Sequence, residues 1–186
     1  MVMLRLNFHP FPILETNRLT LRAITLADAD NIFDLRKDAD VLRYIDREPH
    51  RTLDDSRAMI QKILDGIENS DAVAWAITFK DLDELIGTIS YHRIEKEHCR
   101  AEIGYMLHPK YWRKGITNEA MTKILDYGFN SMKLHSIEAN VNPQNAASSN
   151  LLKKHGFKLE AYFKENYFFN GKFLDTEIYS LLASRT

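Results

Sequence analysis

Two neighbouring stretches, "AEIGYML" (Ala101–Leu107) and "YWRKGITNEA" (Tyr111–Ala120), decide the fold of this chain. The first is predicted to be a β-strand, and the second passes from a cationic loop into the start of a helix. A helix start offers unpaired backbone N–H groups and a partial positive charge. Arg113 and Lys114 add charge there, and Gly115 lets a ligand approach the backbone without a Cβ in the way. The junction is therefore predicted to bind a phosphate or pyrophosphate, with a plain loop of solvated cations as the alternative.

Two familiar phosphate-binding motifs are absent from the sequence. There is no G-x-x-x-x-G-K-[ST] run, and no G-x-G-x-x-G follows the first predicted strand. Neither a nucleoside triphosphatase nor a dinucleotide-binding fold is supported, whereas a cofactor that contains a pyrophosphate still fits the junction.

Strands and helices are predicted in turn upstream of this junction. A strand in "RLTLRAIT" (Arg18–Thr25) is followed by helices in "LADADNIFDLRKD" and in residues 52–69, the second with a capping box at its start. Three more strands follow, and the tight "DLDE" turn indicates that the first two pair as an antiparallel hairpin. These three strands begin at Ala72, Leu85 and Cys99.

Downstream, the helix "NEAMTKILDYGFNSM" leads to a strand over Ser136–Val141, which predicts a crossover to a parallel neighbour. In "NPQNAASSNLLKKHGF" Asn142 is the predicted helix cap and Gly156 the predicted left-handed end. Asn170 and Gly171 predict a closing hairpin. The sequence therefore predicts a single α/β (α+β) domain of order βααβββαβαββ, with helices flanking a mixed, mostly antiparallel sheet.

Composition indicates one folded domain without a global charge. The 186 residues are 45% hydrophobic and 27% charged, and 25 Lys and Arg nearly balance 26 Asp and Glu. Neither nucleic acid nor a membrane is therefore expected as a partner. Short apolar runs and the lack of an export signal predict a cytoplasmic protein. Residues 1–13 are expected to be a loosely ordered leader to a domain over residues 14–186.

Metal and disulfide chemistry are not expected. Cys99 is the only cysteine, so no intramolecular disulfide is possible, and its favoured interpretation is a packed strand thiol. The closest approach to a metal cluster is His98 beside Cys99, with His92 nearby. No metal site is therefore predicted.

Three motifs in this order give the chain a resemblance to a known family. The strand "AEIGYML", the loop and helix "YWRKGITNEA" and the segment "VNPQNAASSNLLKKHGF" resemble the core of the GNAT acetyltransferases. More narrowly, they resemble the RimJ/RimL-like branch, which acetylates N-terminal amines of ribosomal proteins. The resemblance covers about Leu14 to Leu182. It implies a GNAT fold over the domain at 14–186, acetyl-CoA as the cofactor and transfer of acetyl to an amine.

The resemblance also implies which residues bind acetyl-CoA. The family's Q/R-x-x-G-x-G/A pattern falls on Trp112, Gly115 and Thr117, of which the last departs from the small residue expected. The side chain of Asn145 is implied to contact the cofactor. Backbone groups beside the pantetheine and acetyl carbonyl are implied to come from Met106, Leu107 and His108. Amides that hold the pyrophosphate are implied to come from Arg113, Lys114, Gly115, Ile116, Thr117 and Asn118.

Ser148 is the candidate acid for the departing thiolate. It shares a helix face with Leu151 and Leu152, so its hydroxyl is directed inwards and needs a partner. In the family pattern N-x-x-N-x-x-S, which begins here at Asn142, this serine is implied to lie near the CoA sulfur. An ordinary helix serine is the alternative.

Glu102 is the candidate general base for the incoming amine. It alternates with Gly104 and Met106 on one strand face, and a carboxylate within a sheet is costly unless solvated or paired, which favours a cleft. The matching family position supplies a general base, usually through water. A strand-edge glutamate paired with Arg93 or Arg100 is the alternative.

Two tyrosines are candidates for the substrate pocket, and several acceptors are consistent with the sequence. Tyr44 falls where relatives place a helix and loop over the acceptor, and Tyr91 lies on a predicted strand; either could instead be a core aromatic. The acceptor could be the N-terminal amine of a ribosomal protein, or a polyamine, an amino acid or an antibiotic. A sensor that binds acyl-CoA without turnover is another alternative. The aromatic tail "AYFKENYFFNGKF" could form a homodimer surface.

Overall fold

The computed structural model describes residues 3–184, in which eight strands form one sheet. The strands are β1 (Leu14–Glu15), β2 (Leu19–Ala23), β3 (Val73–Phe79), β4 (Leu82–Glu95), β5 (Arg100–Leu107), β6 (Ser136–Val141), β7 (Lys158–Phe169) and β8 (Lys172–Leu182). The helices are α1 (Ala29–Lys37), α2 (Ala39–Leu42), α3 (Leu53–Glu68), α4 (Ile116–Asp126) and α5 (Ala146–Lys154). Short 3-10 turns occupy Leu26–Asp28 and Pro109–Tyr111, and a π-helical turn occupies Tyr127–Ser131.

The sheet is mixed and mostly antiparallel, as the sequence predicts. Its strand order is β1-β2-β3-β4-β5-β6-β8-β7, and in the described part of the chain only β5 and β6 pair in parallel. The crossover between those two strands runs through α4, which is the connection that a parallel pair requires. Two elements add to the predicted order, because β1 has two residues and α2 has four, too few for a periodic pattern.

The alternating sequence of β3 separates two apolar cores on the two faces of the sheet. Ala74 and Ala76 pack with Ile60 on the side of α1 and α3. Trp75 packs with Ile124 on the side of α4. Successive side chains of a strand point to opposite faces, so the small residues let α1 and α3 approach while the large ones fill the space under α4.

The leader is packed rather than loosely ordered. Residues 3–13 lie outside helices and strands, yet Leu4 and Phe8 are buried in the core under α4. The backbone N–H of Leu4 donates to the carbonyl of Lys96 at 3.1 Å, and the Trp75 indole donates to the carbonyl of Pro12 at 2.7 Å. The expectation of loose order over residues 1–13 is wrong for this part because its apolar side chains gain burial against the sheet.

The helix α5 begins later than the sequence predicts. Its cap is Asn145, whose Oδ1 accepts from the backbone N–H of Ser148 at 3.1 Å. Asn142, the predicted cap, instead accepts from the backbone N–H of Gln144 at 3.0 Å and forms a turn ahead of the helix. The predicted end is confirmed, since Gly156 adopts a left-handed φ of 85° after the last turn.

The strands β5 and β6 diverge soon after they meet. Their pairing runs from Arg100↔Ser136 to Glu102↔Glu138 and ends there, although both strands continue. Each remains paired along its other edge, β5 with β4 and β6 with β8. The divergence therefore opens the sheet at its middle and leaves backbone groups of two strands free to bind something else.

The outer hairpin is relevant to the predicted homodimer, and the lengths of the helices are relevant to membrane crossing. The hairpin of β7 and β8 exposes aromatic rings of Tyr162, Phe163, Phe168 and Phe173, and the homodimer stays a prediction. No helix within residues 3–184 is long and apolar enough to cross a membrane.

Gly128 lies where the segment after α4 meets the sheet, and a side chain has no room there. A Cβ would meet the hydroxyl of Tyr91, which donates to the carbonyl of Ile124 at 2.8 Å, and would lie 3.2 Å from Cδ1 of Ile137. We expect Gly128→Ala to lower the free energy of unfolding by about 1–3 kcal/mol in urea denaturation.

The matched control is Gly66→Ala, inside α3. A Cβ there would lie 3.2 Å from Cβ of Ala72, a contact that a small local shift relieves. Alanine favours a helix interior over glycine by about 1 kcal/mol, so the free energy of unfolding should change by no more than about that amount. Equal losses in the two variants would contradict the crowding that we assign to Gly128.

Candidate active site

A cavity of about 1260 Å³ occupies the opening between β5 and β6. The start of α4, the helix α5, the loop after α2 and the β7–β8 hairpin complete its walls. Sites for one small ligand measure about 300–1000 Å³. The cavity is therefore large enough for two substrates to meet at the point where the sheet opens.

The loop before α4 has the conformation that the sequence predicts for an anion site. Gly115 takes a left-handed φ of 73° as the N-cap of α4, and Arg113 also has a positive φ of 59°. Arg113, Lys114 and Gly115 are exposed, and Thr117 is half-buried. The first backbone N–H groups of α4 have no partner within the helix, so they are available to an anion. Ile116 is buried, so its side chain packs inside and only its backbone is available.

An ion pair that sequence reasoning missed holds this loop in place. Arg18 donates from Nη1 to the Lys114 carbonyl at 3.1 Å and from Nε to Oε2 of Glu119 at 2.7 Å. Burial would raise the pKa of Glu119, but hydrogen bonds from Thr16 and Arg18 bring it below the usual value. Arg18 thus neutralises a carboxylate in the first turn of α4 that would otherwise repel an anion.

Asn118 provides a test of whether the site fits a large cofactor. Its side chain lies in the first turn of α4 and lines the cavity. Its Oδ1 is buried and has no hydrogen-bond partner among the described residues. Buried polar atoms are nearly always paired, so an unpaired oxygen next to open helix N–H groups fits a ligand with both polar and anionic groups, as coenzyme A has.

Of the three predicted backbone contacts at the end of β5 and just after it, strand geometry leaves that of Leu107 facing the opening. The N–H of His108 donates to the Ile86 carbonyl at 2.9 Å, so it faces β4. Groups on an antiparallel strand alternate in direction, so the N–H of Met106, which is opposite Thr88, also faces β4. Leu107 therefore directs its backbone groups to the open side, while the amides of Met106 and His108 are used within the sheet.

The indole of Trp112 confirms this direction. Its Nε1 donates to the Leu107 carbonyl at 2.7 Å, which occupies the carbonyl and leaves the N–H of the same residue towards the opening. The side chain of Met106 still lines the cavity, although its backbone does not face it. The imidazole of His108 accepts from the backbone N–H of Lys110 at 3.2 Å and stabilises the turn that follows β5.

Ser148 shares a short hydrogen bond with Tyr105, a residue that sequence reasoning missed. The two hydroxyl oxygens are 2.6 Å apart, and both side chains line the cavity. Burial raises the pKa of Tyr105, an effect that the hydrogen bond to Ser148 partly offsets. Asn145 also lines the cavity, with its Oδ1 used as the cap of α5. Alternation along β5 places Tyr105 on a different face from Glu102, but the sequence did not indicate that α5 would cross there.

Glu102 lines the cavity and is also paired, so the cleft and the ion pair expected as alternatives are both present. Its side chain is 14% exposed, Oε2 accepts from Nη1 of Arg93 at 2.8 Å, and Oε1 lies 3.4 Å from Nε2 of His92. Burial would raise the pKa of Glu102, but His92, Asn140 and Arg93 together hold it below the usual value. Arg100 pairs with other carboxylates instead.

The two candidate pocket tyrosines differ in their surroundings. Tyr44 is half-buried and lines the cavity from the loop after α2. Tyr91 borders the cavity, but its side chain is wholly buried against Trp75 and its hydroxyl is bonded to the Ile124 carbonyl. Its phenol therefore supplies packing and cannot offer a polar contact to a substrate. Within residues 3–184 no three His, Cys, Asp or Glu side chains are grouped to hold a metal ion.

Known proteins are similar to this chain in sequence and in fold. Residues 18–158 match the acetyltransferase (GNAT) domain family. An uncharacterised N-acetyltransferase of Bacillus subtilis, YoaA, is 39% identical over 94% of this chain and 99% of its own length. A GNAT-family acetyltransferase from Bacillus anthracis has a crystal structure with a TM-score of 0.82 and 30% identity, covering 92% of this chain and 98% of that one.

Relatives with named acceptors differ in what they acetylate. A spermidine N(1)-acetyltransferase of Vibrio cholerae is 28% identical over 91% of this chain and 95% of its own length. A ribosomal-protein-serine acetyltransferase of Escherichia coli is 33% identical over 55% of this chain and 56% of its own. A spermidine N-acetyltransferase of Vibrio cholerae in complex with CoA and spermine has a TM-score of 0.80 and 26% identity, over 90% and 96% of the two chains.

The RimJ/RimL-like branch is thus one neighbour among several, while the family itself is clear. The family match covers most of the chain, and the fold agrees with that of a solved GNAT-family structure. The chain belongs to the GNAT family and is an N-acetyltransferase that uses acetyl-CoA.

Proposed function

We propose that this enzyme transfers acetyl to a primary amine by direct attack, without an acyl-enzyme. The observation that carries the proposal is the meeting of three groups in one cavity: the open N–H of Leu107, the Tyr105–Ser148 pair and the carboxylate of Glu102. Holding both reactants in one cavity supplies much of the rate enhancement, because it replaces a bimolecular encounter with a positioned one.

The N–H of Leu107 is proposed to stabilise the charge that develops during the attack. Acetyl-CoA supplies a thioester whose carbonyl oxygen becomes negative as the amine adds. A fixed backbone donor in a site that excludes water stabilises such an oxygen strongly. Leu107 is fixed because β4 holds its neighbours on both sides, and the Trp112 indole holds its carbonyl.

The Tyr105–Ser148 pair is proposed to protonate the thiolate that leaves. A raised pKa keeps the Tyr105 phenol protonated at neutral pH, and its 2.6 Å bond to Ser148 provides a path for a proton. Ser148 donates its proton to the sulfur and takes one from Tyr105, and the tyrosinate regains a proton from solvent before the next turnover. The pair thus acts as one acid, which explains why a serine with an ordinary hydroxyl can serve.

Glu102 is proposed to receive the proton that the amine loses. Its lowered pKa keeps it ionised at neutral pH, so it attracts the ammonium form and accepts the proton through water and His92. A carboxylate with a lowered pKa is a weak base and removes a proton from an amine poorly by direct transfer. A relay is therefore favoured.

The charges of the cavity walls indicate which class of acceptor the site favours. Four carboxylates are matched by four guanidinium groups, so the walls do not favour a polycation. The carboxylates are Asp40, Asp46, Glu102 and Asp175. The guanidinium groups are Arg43, Arg47, Arg93 and Arg113. We propose a primary amine that is not a polyamine, such as a protein N-terminus or an amino acid, with a sensor without turnover as the second candidate.

An amine panel tests this function. Purified enzyme is incubated with acetyl-CoA and with amino acids, peptides that carry free N-termini, and spermidine, and release of CoA thiol is followed. The proposal expects slow release without an amine and acceleration by members of the first two classes. A flat response to every amine, with acetyl-CoA binding retained in calorimetry, would favour the sensor.

Removing either hydroxyl of the Tyr105–Ser148 pair should slow turnover without weakening the binding of acetyl-CoA. We expect Ser148→Ala and Tyr105→Phe each to lower kcat by about 10²-fold, while the Kd for acetyl-CoA in calorimetry changes little. Asn150→Ala, at an exposed position of the same helix, is the control and should leave both unchanged. Equal losses in kcat and in affinity would reassign Ser148 to cofactor binding.

Replacing the carboxylate should lower kcat/KM over the whole neutral range. Since the pKa of Glu102 lies below its usual value, this group stays ionised from about pH 6 to 9 and would lose its charge only as the pH falls through the lowered pKa. We therefore expect Glu102→Gln to lower kcat/KM by about 10-fold or more at each of these pH values. Glu95→Gln, on the same hairpin and paired with Arg100, is the control. A loss confined to the acidic end would contradict this assignment.

A further inference from the structure

Arg36 is a buried cation without a counterion. It lies on α1, its residue is 8% exposed, and its Nε has no hydrogen-bond partner among the described residues. The contact of its guanidinium is a weak one, from Nη1 to Sδ of Met106 at 3.8 Å. No carboxylate within residues 3–184 forms an ion pair with it. A buried charge that lacks a partner is strongly unfavourable. We therefore expect the guanidinium to pair with a group that does not belong to the described chain.

The surroundings of Arg36 are cationic rather than neutralising. Burial and then the nearby Arg47 lower the pKa of Arg36, and burial and Arg36 in turn lower the pKa of His50. Asp55 lies near, but its Oδ2 accepts from the backbone N–H groups of Arg51 and Thr52 at the start of α3. This carboxylate is therefore used by the helix cap, and it forms no ion pair with the guanidinium.

A second cavity, of about 650 Å³, lies over this group. It is lined by four permanent cations, a histidine and two carboxylates, of which Asp55 is the one already used by the helix cap. The cations are Arg36, Arg47, Arg51 and Lys62, the histidine is His50, and the other carboxylate is Glu48. A concave surface with this excess of positive charge, and with a buried guanidinium in its wall, is suited to an anion.

Three residues connect this cavity to the active site. Arg47 and Met59 line both cavities, and Met106, which touches Arg36, lines the active site beside Leu107. Arg47 also donates to the hydroxyl of Tyr167 on the β7–β8 hairpin at 3.2 Å, so it joins that hairpin to the loop after α2, which carries the candidate pocket residue Tyr44. A group bound at Arg36 therefore lies next to the wall that the two cavities share.

We propose that Arg36 binds a carboxylate or phosphate group of the acceptor, so that the substrate is a primary amine with an acidic group at its other end. This inference rests on the proposed function, because it assigns the acceptor of the same site. It accounts for the missing counterion, since the substrate itself provides one. It also distinguishes this site from one built for a polycation, which a buried unpaired arginine would repel.

The test compares amines that differ by their charge alone. Alanine is paired with alaninamide, and O-phosphoethanolamine with ethanolamine, each assayed with saturating acetyl-CoA. For at least one pair we expect the acidic member to have a kcat/KM at least about 10-fold higher in the wild type, and Arg36→Met to abolish that preference. Arg57→Met, an exposed residue of α3 paired with Asp54, is the matched control and should keep the preference.

A second measurement does not depend on turnover. With saturating CoA bound, so that the loop before α4 is occupied, inorganic phosphate and the acidic amines should raise the unfolding temperature of the wild type and of Arg57→Met but not of Arg36→Met, at constant ionic strength. Acetyl-CoA affinity, measured by calorimetry, should be equal in all three. Should Arg36→Met fail to fold, Arg36→Lys replaces it, because it keeps the charge but loses the planar fork, and it should weaken phosphate binding by about 10-fold.

The outcomes distinguish a failure of the Arg36 proposal from a failure of the proposed function. Phosphate that inhibits competitively against the acidic amine supports the assignment to the acceptor. Phosphate that binds at Arg36 without competing would overturn it in favour of a separate anion, as would equal reaction of both members of each pair. If no amine reacts, the proposed function fails, and the thermal measurement still decides whether Arg36 binds an anion.

Discussion

The end of pairing between β5 and β6 after Glu102 is the constraint on which the rest of the structure depends. A sheet normally satisfies its backbone groups strand by strand, so two strands that diverge must bind something else with the groups they release. Here β4 still holds the alternate residues of β5, which leaves Leu107 as the residue that faces the opening. The cavity, the cofactor and the proposed oxyanion contact all follow from this local failure of pairing.

Three arginines in and around the opening differ in how their charges are paired. At the start of α4, Arg18 neutralises Glu119 so that the helix end stays attractive to phosphate. On β5, Arg93 pairs with Glu102 while leaving the carboxylate at the cavity wall. Among the guanidinium groups of residues 3–184, that of Arg36 is buried and has no carboxylate partner, and this contrast with Arg18 and Arg93 favours a substrate anion as its counterion.

Much of the fold could be predicted from the sequence because its signals are local. The glycine at the start of α4, the left-handed Gly156 and the alternation of β2 each depend on a few adjacent residues. The Tyr105–Ser148 bond could not be predicted, since it depends on how α5 crosses a strand that is distant in the chain. Two asparagines three residues apart, Asn142 and Asn145, competed for one cap, and local pattern did not decide between them.

The burial of polar side chains also could not be predicted from the sequence. Arginine on an amphipathic helix is usually exposed, so nothing in the pattern of α1 singled out Arg36. The choice of Leu107 among three neighbouring residues likewise required the register of β4 against β5, which the sequence alone does not give.

A crystal structure of the enzyme with acetyl-CoA tests the central claim most directly. The account predicts that the acetyl carbonyl oxygen lies within about 2.7–3.1 Å of the Leu107 nitrogen, with the sulfur next to Ser148 and the pyrophosphate at the loop before α4. A thioester that contacts the amide of Met106 or His108 instead, or that lies outside the opening between β5 and β6, would contradict it.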